Sequence, residues 1–277
     1  MTVQPYSFQV GDVPCLIVLD GASMLGAEGI LKRFPDATEA DYRTAYQEAG
    51  FSLDEAQSCF NILLLRIAGE TVLVDAGQGG RPRGGQLPEG LKMAGIDPAE
   101  VSLVVLTHAH VDHVWGLVSA DNVPVFPNAR YVLSEMEMVS WKKRIESSSG
   151  DQAPLVELLE DRGLELIPMD APILPGLSAV SLPGHTPGQI GIVLESRGQS
   201  LRHMADLLHS PMQFAHPEWS PTFDVDTRLS VASRRAALAQ AAESGVLTMF
   251  YHLPFPGLGR VKRVAQGFLW EPLHPAP

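Results

Sequence analysis

Cysteine is scarce in this chain. Among its 277 residues the only cysteines are Cys15 and Cys59. Two thiols are too few to form the disulfide framework of a small secreted scaffold. Because a free cysteine packs as a small apolar side chain, the sequence predicts that both thiols are free and buried.

Long apolar runs are also missing. The longest ones, such as 62–65 and 103–106, have the length of strands, whereas a helix that crosses a bilayer needs about 20 apolar residues. The first ten residues have neither the basic region nor the apolar region of a signal peptide. The sequence therefore predicts a cytoplasmic protein that does not enter a membrane.

Basic residues are outnumbered by acidic ones. The 20 Lys and Arg residues stand against 32 Asp and Glu residues, which gives a formal net charge of −12. Nucleic-acid backbones and anionic membrane surfaces attract clustered positive charge, so neither is the expected partner. A small-molecule substrate fits this balance of charge better.

The remaining composition is that of an ordinary globular domain, with 45% hydrophobic and 19% charged residues. No linker, low-complexity tract or internal repeat interrupts it, so we expect one domain over 1–277. Strands are predicted at Cys15–Leu19, Asn61–Ile67, Thr71–Asp75, Ser102–Thr107, Ser178–Leu182, Gln189–Glu195, Ser200–Met204 and Val246–Tyr251. Helices are predicted at Thr38–Ala49, Met136–Ser147, Ala153–Arg162 and Thr227–Ser244.

This order of elements predicts two sheets that pack face to face and are covered by helices, because strand groups occur in both halves of the chain. The segment 21–57 carries few strand signals. It could form a helical flap over a pocket or a peripheral insert, and the sequence does not choose between the two.

A cluster of metal-ligand side chains follows the buried strand at 102–107. The run from Thr107 to Gly116 reads THAHVDHVWG and contains His108, His110, Asp112 and His113. Burying three imidazoles and a carboxylate within six residues is costly unless a cation satisfies them. Imidazole and carboxylate together suit zinc, and also iron, manganese or cobalt.

Three further candidate ligands each follow a predicted strand. His185 lies in the Pro/Gly-rich turn LPGHTPG, Asp206 follows LRHMA, and His252 follows LTMFY. Together they supply the ligands that a second ion would need, including a carboxylate able to bridge two ions.

The spacing HxHxDH, followed by a histidine, an aspartate and a last histidine, resembles the metallo-β-lactamase superfamily. The resemblance implies a four-layer αββα sandwich that binds two divalent metal ions at the edge between its sheets. It implies that His108, His110 and His185 hold one ion, and that Asp112, His113 and His252 hold the other. Asp206 would bridge them, and Asp75 would support the metal loop from behind.

A narrower resemblance covers most of residues 55–273. The segments FPNA at 126–129 and HLPFPGLG at 252–259 resemble the methyl parathion hydrolase branch, which lies near lactone-hydrolysing enzymes. This branch is often dimeric, which suggests a homodimer, but the sequence leaves the oligomeric state open. The resemblance is weakest over residues 1–55.

Two ions that share one water lower its pKa to near neutral, and the resulting bridging hydroxide is the expected nucleophile. Asp112, bound to an ion yet close to this hydroxide, is the expected catalytic residue that orients it and moves the proton. The expected walls of the pocket are Phe60, Trp115, Trp141, His209, Phe214 and Phe255.

An aromatic pocket favours neutral esters or lactones, with phosphotriesters as possible side substrates. The main alternative is a thioester hydrolase of the glyoxalase II type, although only Arg260, Lys262 and Arg263 could grip its anionic substrate. A β-lactam hydrolase is disfavoured because the common zinc β-lactamases have cysteine where this chain has Asp206. The acidic charge disfavours a nuclease, and a non-catalytic metal-binding protein is the alternative outside the enzymes.

Overall fold

A computed structural model describes residues 3–80, 85–119, 121, 123–147 and 152–273. Within them the first half of the chain forms a seven-stranded sheet whose neighbours follow the order of the sequence. Its strands are β1 (Tyr6–Val10), β2 (Val13–Met24), β3 (Gln57–Ile67), β4 (Glu70–Val74), β5 (Leu103–Val105), β6 (Arg130–Ser134) and β7 (Glu165–Ile167). Strands β1 to β4 pair antiparallel, and β4 to β7 pair parallel.

The second half forms another seven-stranded sheet, again in the order of the sequence. Its strands are β8 (Pro172–Leu174), β9 (Leu177–Ser181), β10 (Ile190–Ser196), β11 (Gln199–His203), β12 (Leu247–Met249), β13 (Leu258–Arg263) and β14 (Phe268–Pro272). All neighbours pair antiparallel except β11 and β12, which are parallel.

The helices lie outside the two sheets and between strands along the chain. They are α1 (Gly26–Arg33), α2 (Glu39–Glu48), α3 (Leu87–Met93), α4 (Val111–Val114), α5 (Glu135–Glu146), α6 (Ala153–Asp161) and α7 (Thr227–Ser244). Short 3₁₀ turns occur at Leu53–Glu55, Pro98–Glu100, Trp115–Leu117, Ala205–Leu207 and Pro211–Gln213. None of the helices within the described residues has the length and apolar character needed to cross a bilayer.

Strand β3 shows why the sheets stack. Leu63 and Leu65 belong to the cluster between the two sheets, whereas Ile62 and Leu64 belong to the cluster under the helices. Successive side chains of a strand point to opposite faces, so a strand buried on both faces is apolar throughout. The predicted four-layer αββα sandwich is confirmed.

The predicted helix Thr227–Ser244 matches α7 at both ends. The side chain of Asp226 accepts a hydrogen bond from the backbone NH of Leu229 and so caps the first turn. Gly245 ends the helix in the left-handed conformation, with φ of 61°. In α2, Thr38 and Asp41 form a capping box, so the helix itself begins one residue later than predicted.

The structure contains strands that the sequence pattern did not predict. Strands β1, β6, β7, β8, β13 and β14 are absent from the predicted set. Strands β1, β7, β8 and β14 are edge strands, whose partly exposed residues interrupt the apolar pattern, whereas β6 and β13 lie inside the sheets. Strand β2 also extends to Met24, so the segment 21–57 begins as part of the sheet.

Helices α1 and α2, within the segment 21–57, pack against the loop that precedes α7. The backbone NH of Thr222 donates to the carbonyl of Arg33, and that of Ser220 donates to Asp36. The hydroxyl of Ser210 donates to that of Tyr46. The segment is therefore fastened to the second half of the chain, and it also supplies two side chains to the pocket described below.

The two cysteines are free and buried, as predicted. Cys15 lies opposite Leu65 in the β2–β3 ladder, and Cys59 lies opposite Ala22. Six residues along a strand separate the two positions by roughly 20 Å, far beyond disulfide reach. Burial raises the pKa of the Cys15 thiol to about 12 and that of Cys59 to about 11.

We predict that neither thiol reacts with DTNB in the native protein at about pH 8, because both stay protonated and inaccessible. Absorbance of the released thiolate measures the reaction. Two thiols should react once guanidinium chloride unfolds the chain. Rapid reaction of the native protein would contradict this assignment.

Candidate metal centre

The HxHxDH segment lies at the end of β5 and runs into α4. His108 and His113 are fully buried, His110 is half-buried, and the Asp112 side chain keeps 19% of its surface exposed. The chain turns sharply here because His110 is extended while the next residue already begins the helix. The backbone carbonyl of His113 then accepts from the NH of Ala76 at the end of β4, which fixes the loop against the sheet.

The three later candidates reach the same place from the second sheet. His185 lies in the turn between β9 and β10, Asp206 follows β11, and His252 follows β12. Because neighbouring strands end at this edge of the sandwich, residues far apart in sequence meet there. The Nε2 atom of His185 is 3.2 Å from Oδ2 of Asp206, and that of His252 is 3.0 Å from the same oxygen.

All seven predicted donors therefore meet, and Asp206 lies at their centre. Its Oδ1 is 3.1 Å from Nε2 of His113, and its Oδ2 is 3.7 Å from Nε2 of His108. The donor atoms fall into two groups, each within 4.8 Å. These groups are His108, His110, His185 with Asp206, and Asp112, His113 with His252.

The donor set fits two divalent cations. Nε2 of His108, Nε2 of His113 and Oδ1 of Asp206 are buried without a hydrogen-bond partner. An unpaired buried polar atom costs free energy, and a cation that accepts its lone pair removes that cost. Five neutral imidazoles and two carboxylates are ligands that zinc accepts readily.

The pKa shifts of the cluster show that its carboxylates favour positive charge among the donors. Burial by itself lowers the pKa of His185, but its hydrogen bonds to Asp206 and Asp224 outweigh this effect and raise it to about 9. Burial also lowers the pKa of His113, but the carboxylates of Asp206 and Asp75 outweigh this effect and raise the pKa well above its usual value. Burial would raise the pKa of Asp206, yet His113 and His252 hold it well below the usual range. A carboxylate surrounded by imidazoles thus stays ionised.

Partners outside the cluster aim the imidazoles. Oδ2 of Asp75 lies 2.8 Å from Nδ1 of His113, and the same carboxylate accepts from both the NH and the hydroxyl of Thr107. Nδ1 of His252 faces the carbonyl of Cys59 at 3.0 Å. These contacts leave Nε2 directed at the centre, which is the arrangement that metal-binding histidines need. Asp75 therefore occupies the supporting place expected of it.

His209 also reaches the centre. Its Nε2 lies 3.2 Å from Oδ2 of Asp206, and its ring stacks on that of His252 at 4.8 Å. Its donor atom groups with those of Asp206 and His252 within 4.8 Å. The sequence predicted a pocket residue here, and the structure places an eighth candidate donor at the floor of that pocket.

A cavity of about 630 Å³ opens above the cluster. Phe60, Trp115 and His209 line it, as predicted. Its other lining residues are Ser23, Arg33, Ser58, Gln78, Ala109, His110, Val111, Asp112, Arg144, Gln152, His185, Asp206, Phe223 and His252.

Three residues that were predicted to line the cavity do not line it. Trp141 is fully buried on the inner face of α5, where its Nε1 donates to Gln152, so that Gln152 and not Trp141 reaches the cavity. Phe214 packs on Trp270 under the second sheet. Phe255 packs at the edge of the cluster between the sheets. Trp141 lies on the buried face of a helix, whereas Phe214 and Phe255 lie in turns that direct their rings into apolar clusters.

Several residues of the site escaped sequence reasoning. Arg33 and Phe223 form part of the wall from two segments without a recognisable motif. The hydroxyl of Tyr251 donates to the carbonyl of Asp112 at 2.5 Å, and its ring stacks on that of His113. Glu137 accepts from the NH of Ala109 and from Thr186. Of these residues only Tyr251 could have been singled out from the sequence, because it directly precedes the predicted ligand His252.

A family model described as the metallo-beta-lactamase superfamily matches residues 61–251, which include all the candidate ligands except His252. The chain belongs to the metallo-beta-lactamase superfamily. The resemblance drawn from its motifs is thereby confirmed, and the chain is a metal-dependent hydrolase of this superfamily.

Solved structures of this superfamily match the whole chain. AidC, a dizinc quorum-quenching lactonase solved with a product bound, is 27% identical, covers 99% of each chain and superposes with a TM-score of 0.90. AbOPH, a hydrolase of the beta lactamase superfamily, is 26% identical over 100% of each chain, with a TM-score of 0.86. An N-acyl homoserine lactonase from a Bacillus species is 24% identical over 107 residues, which are 38% of this chain and 38% of that relative's length.

The raised pKa of His185 gives a pH prediction for the metal-free protein. A histidine titrates near 6.5 in the unfolded chain and this one near 9 in the fold, so its protonation stabilises the fold fully below about pH 6.5. That stabilisation is lost as pH rises towards 9. We expect the melting temperature of the metal-free protein to fall across this range.

Calorimetric melting at several pH values measures the effect. The same scan on zinc-loaded protein is the control, because bound ions hold the imidazoles deprotonated and remove this dependence. A metal-free melting temperature that rises between pH 6.5 and 9 would contradict the assignment.

Proposed function

We propose that this superfamily member is a dinuclear lactonase that opens neutral lactones, with aryl esters as further substrates. The observation that carries the proposal is the convergence of seven donors beneath a cavity whose walls include Phe60, Trp115 and Phe223. The full-length likeness to a dizinc lactonase supports the ring-opening activity. Apolar walls favour a substrate without charge near the reacting carbonyl.

The donors divide into two ligand sets. His108, His110 and His185 would hold one ion, Asp112, His113 and His252 the other, and the carboxylate of Asp206 would serve both. When bound, two divalent ions would activate a water molecule and polarise the carbonyl of the substrate. Zinc is the proposed metal, because imidazole and carboxylate ligands suit it and a dizinc relative has the same fold.

Asp112 is the proposed proton carrier. Its carboxylate is the more exposed of the two in the cluster and borders the cavity, whereas the Asp206 side chain is 2% exposed. The backbone carbonyl of Asp112 is held by Tyr251, which limits movement of its loop. A carboxylate placed in this way can accept a proton from the attacking water and deliver it to the leaving alkoxide.

The cavity combines apolar walls with a few polar groups. Ser23, Ser58 and Gln152 offer hydrogen bonds, and Arg33 and Arg144 add positive charge at its margin. A lactone with an apolar acyl substituent and an amide group would match both features. Acyl homoserine lactones, the substrates of the Bacillus relative, have this chemistry.

A thioester hydrolase of the glyoxalase II type fits less well. The basic residues of β13, which the sequence offered for binding its anionic substrate, each have a partner on the surface. Lys262 pairs with Glu271, Arg263 pairs with Glu243, and Arg260 donates to the carbonyl of Gly245. None of them lines the cavity described above. Phosphotriester hydrolysis is proposed only as a side activity, by likeness to AbOPH.

A substrate panel tests the proposal. We expect zinc-loaded protein to hydrolyse γ-lactones with acyl-amide substituents faster than aryl esters, a phosphotriester, a thioester or a cephalosporin. Turnover is measured from the release of acid. Removal of the metal should abolish turnover because no ion is left to activate the water. The variant Asp206→Ala should abolish it as well, because it lacks the carboxylate that would serve both ions. Equal lactone hydrolysis by stripped protein would refute the proposal.

The role of Asp112 gives a sharper prediction. The variant Asp112→Asn keeps an oxygen ligand but cannot carry a proton, so we expect kcat to fall roughly 10²- to 10⁴-fold at saturating zinc. Steady-state kinetics measures kcat, and metal analysis of the same sample measures its zinc content. Asp161→Asn, an exposed change at the end of α6, is the control. Full turnover with two ions bound would assign the proton transfer elsewhere.

A further inference from the structure

A buried carboxylate that belongs to neither ligand set contacts His185. Asp224 lies in the loop before α7 and is 8% exposed. Its Oδ1 is 2.9 Å from Nδ1 of His185. Its Oδ2 accepts from the hydroxyl of Ser230 at 2.8 Å and from the guanidinium of Arg234 at 3.3 Å. Both oxygens therefore have partners, and one of these partners is a candidate metal ligand.

Arg234 anchors this carboxylate from within α7. Its side chain is fully buried, and its donors reach acceptors in nearby loops and one hydroxyl within α7. They reach the carbonyl oxygens of Leu207, Pro217 and Trp219, and the hydroxyls of Ser220 and Ser230. A buried arginine with this many partners is held in one position.

The contact determines which nitrogen of His185 carries hydrogen. An ionised carboxylate only accepts, so Nδ1 of His185 must donate to Asp224. In the neutral imidazole, the form that binds a metal, the lone pair is then on Nε2, which lies 3.2 Å from Oδ2 of Asp206 and 2.8 Å from Nδ1 of His110. A hydrogen bond from the distal ring nitrogen fixes the orientation of a metal-bound histidine and raises its basicity.

The same guanidinium also holds the loop of the central carboxylate. Its Nε donates at 2.9 Å to the carbonyl of Leu207, which directly follows Asp206. One buried cation thus connects the residue that orients His185 with the loop that presents Asp206. The two candidate ligands belong to different segments, and Arg234 sets their relative position.

We propose that Asp224 is a positioning residue for His185, and that Arg234 anchors it so that the ion bound by His108, His110 and His185 is held tightly. The inference rests on the proposed metal-dependent function. A buried ion pair is often replaceable by apolar residues without loss of stability, so stability alone does not explain this one. Orientation of a ligand does explain it.

The experiment compares zinc affinity in three variants. Asp224→Ala removes the acceptor for Nδ1 of His185, and we expect one of the two zinc ions to bind about 10- to 100-fold more weakly. Asp224→Asn keeps an oxygen acceptor and should recover part of that affinity. Asp226→Ala is the matched control, because it removes the cap of α7 and touches no candidate ligand. Its zinc affinity should equal that of the parent.

Competition with a chromophoric chelator measures each zinc affinity, and the visible spectrum of the Co²⁺-substituted protein reports the ligands of the weakened ion. Melting of the metal-free variants separates this role from a structural one. If Asp224→Ala and Asp224→Asn melted at a lower temperature but bound both zinc ions as tightly as the parent, this inference would be overturned and the proposed function would stand. Failure of the parent to bind zinc would overturn both the inference and the proposed function.

Discussion

The site depends on one buried carboxylate. Asp206 keeps its charge in the interior because imidazoles surround it, and without them burial would favour its neutral form. Nitrogens of five histidines lie 3.0 to 3.7 Å from its oxygens, namely those of His108, His113, His185, His209 and His252. So many donors around one anion are stable only with protons or metal ions among them.

The rest of the fold supports this arrangement from two sides. On the first sheet, Asp75 connects Thr107 to His113 and so fixes the metal loop to the end of β4. On the second, Asp224 and Arg234 connect His185 to the loop after Asp206. Glu137 joins the two halves, since it accepts from Ala109 in one loop and Thr186 in the other. Carboxylates outside the cluster thus hold its ligands in place.

Sequence reasoning reached the donors but only part of the pocket. The ligands could be predicted because each follows a strand and because their order resembles a family pattern. Phe60, Trp115 and His209 line the cavity, but Trp141, Phe214 and Phe255 do not. An aromatic side chain serves equally well in a core and in a pocket wall, so its type does not reveal which way it faces.

The sequence by itself determined the two groups of strands, the α7 helix and seven of the donors, because apolar runs, helix caps and ligand types are local properties of the chain, and the order of the donors resembles a family pattern. Only the tertiary structure decided that Arg33, Phe223, Asp224 and Arg234 belong to the site. Asp224 lies 39 residues from His185, and nothing in its neighbourhood marks it. Such partners are set by where loops meet in space, which depends on the packing of both sheets and α7 together.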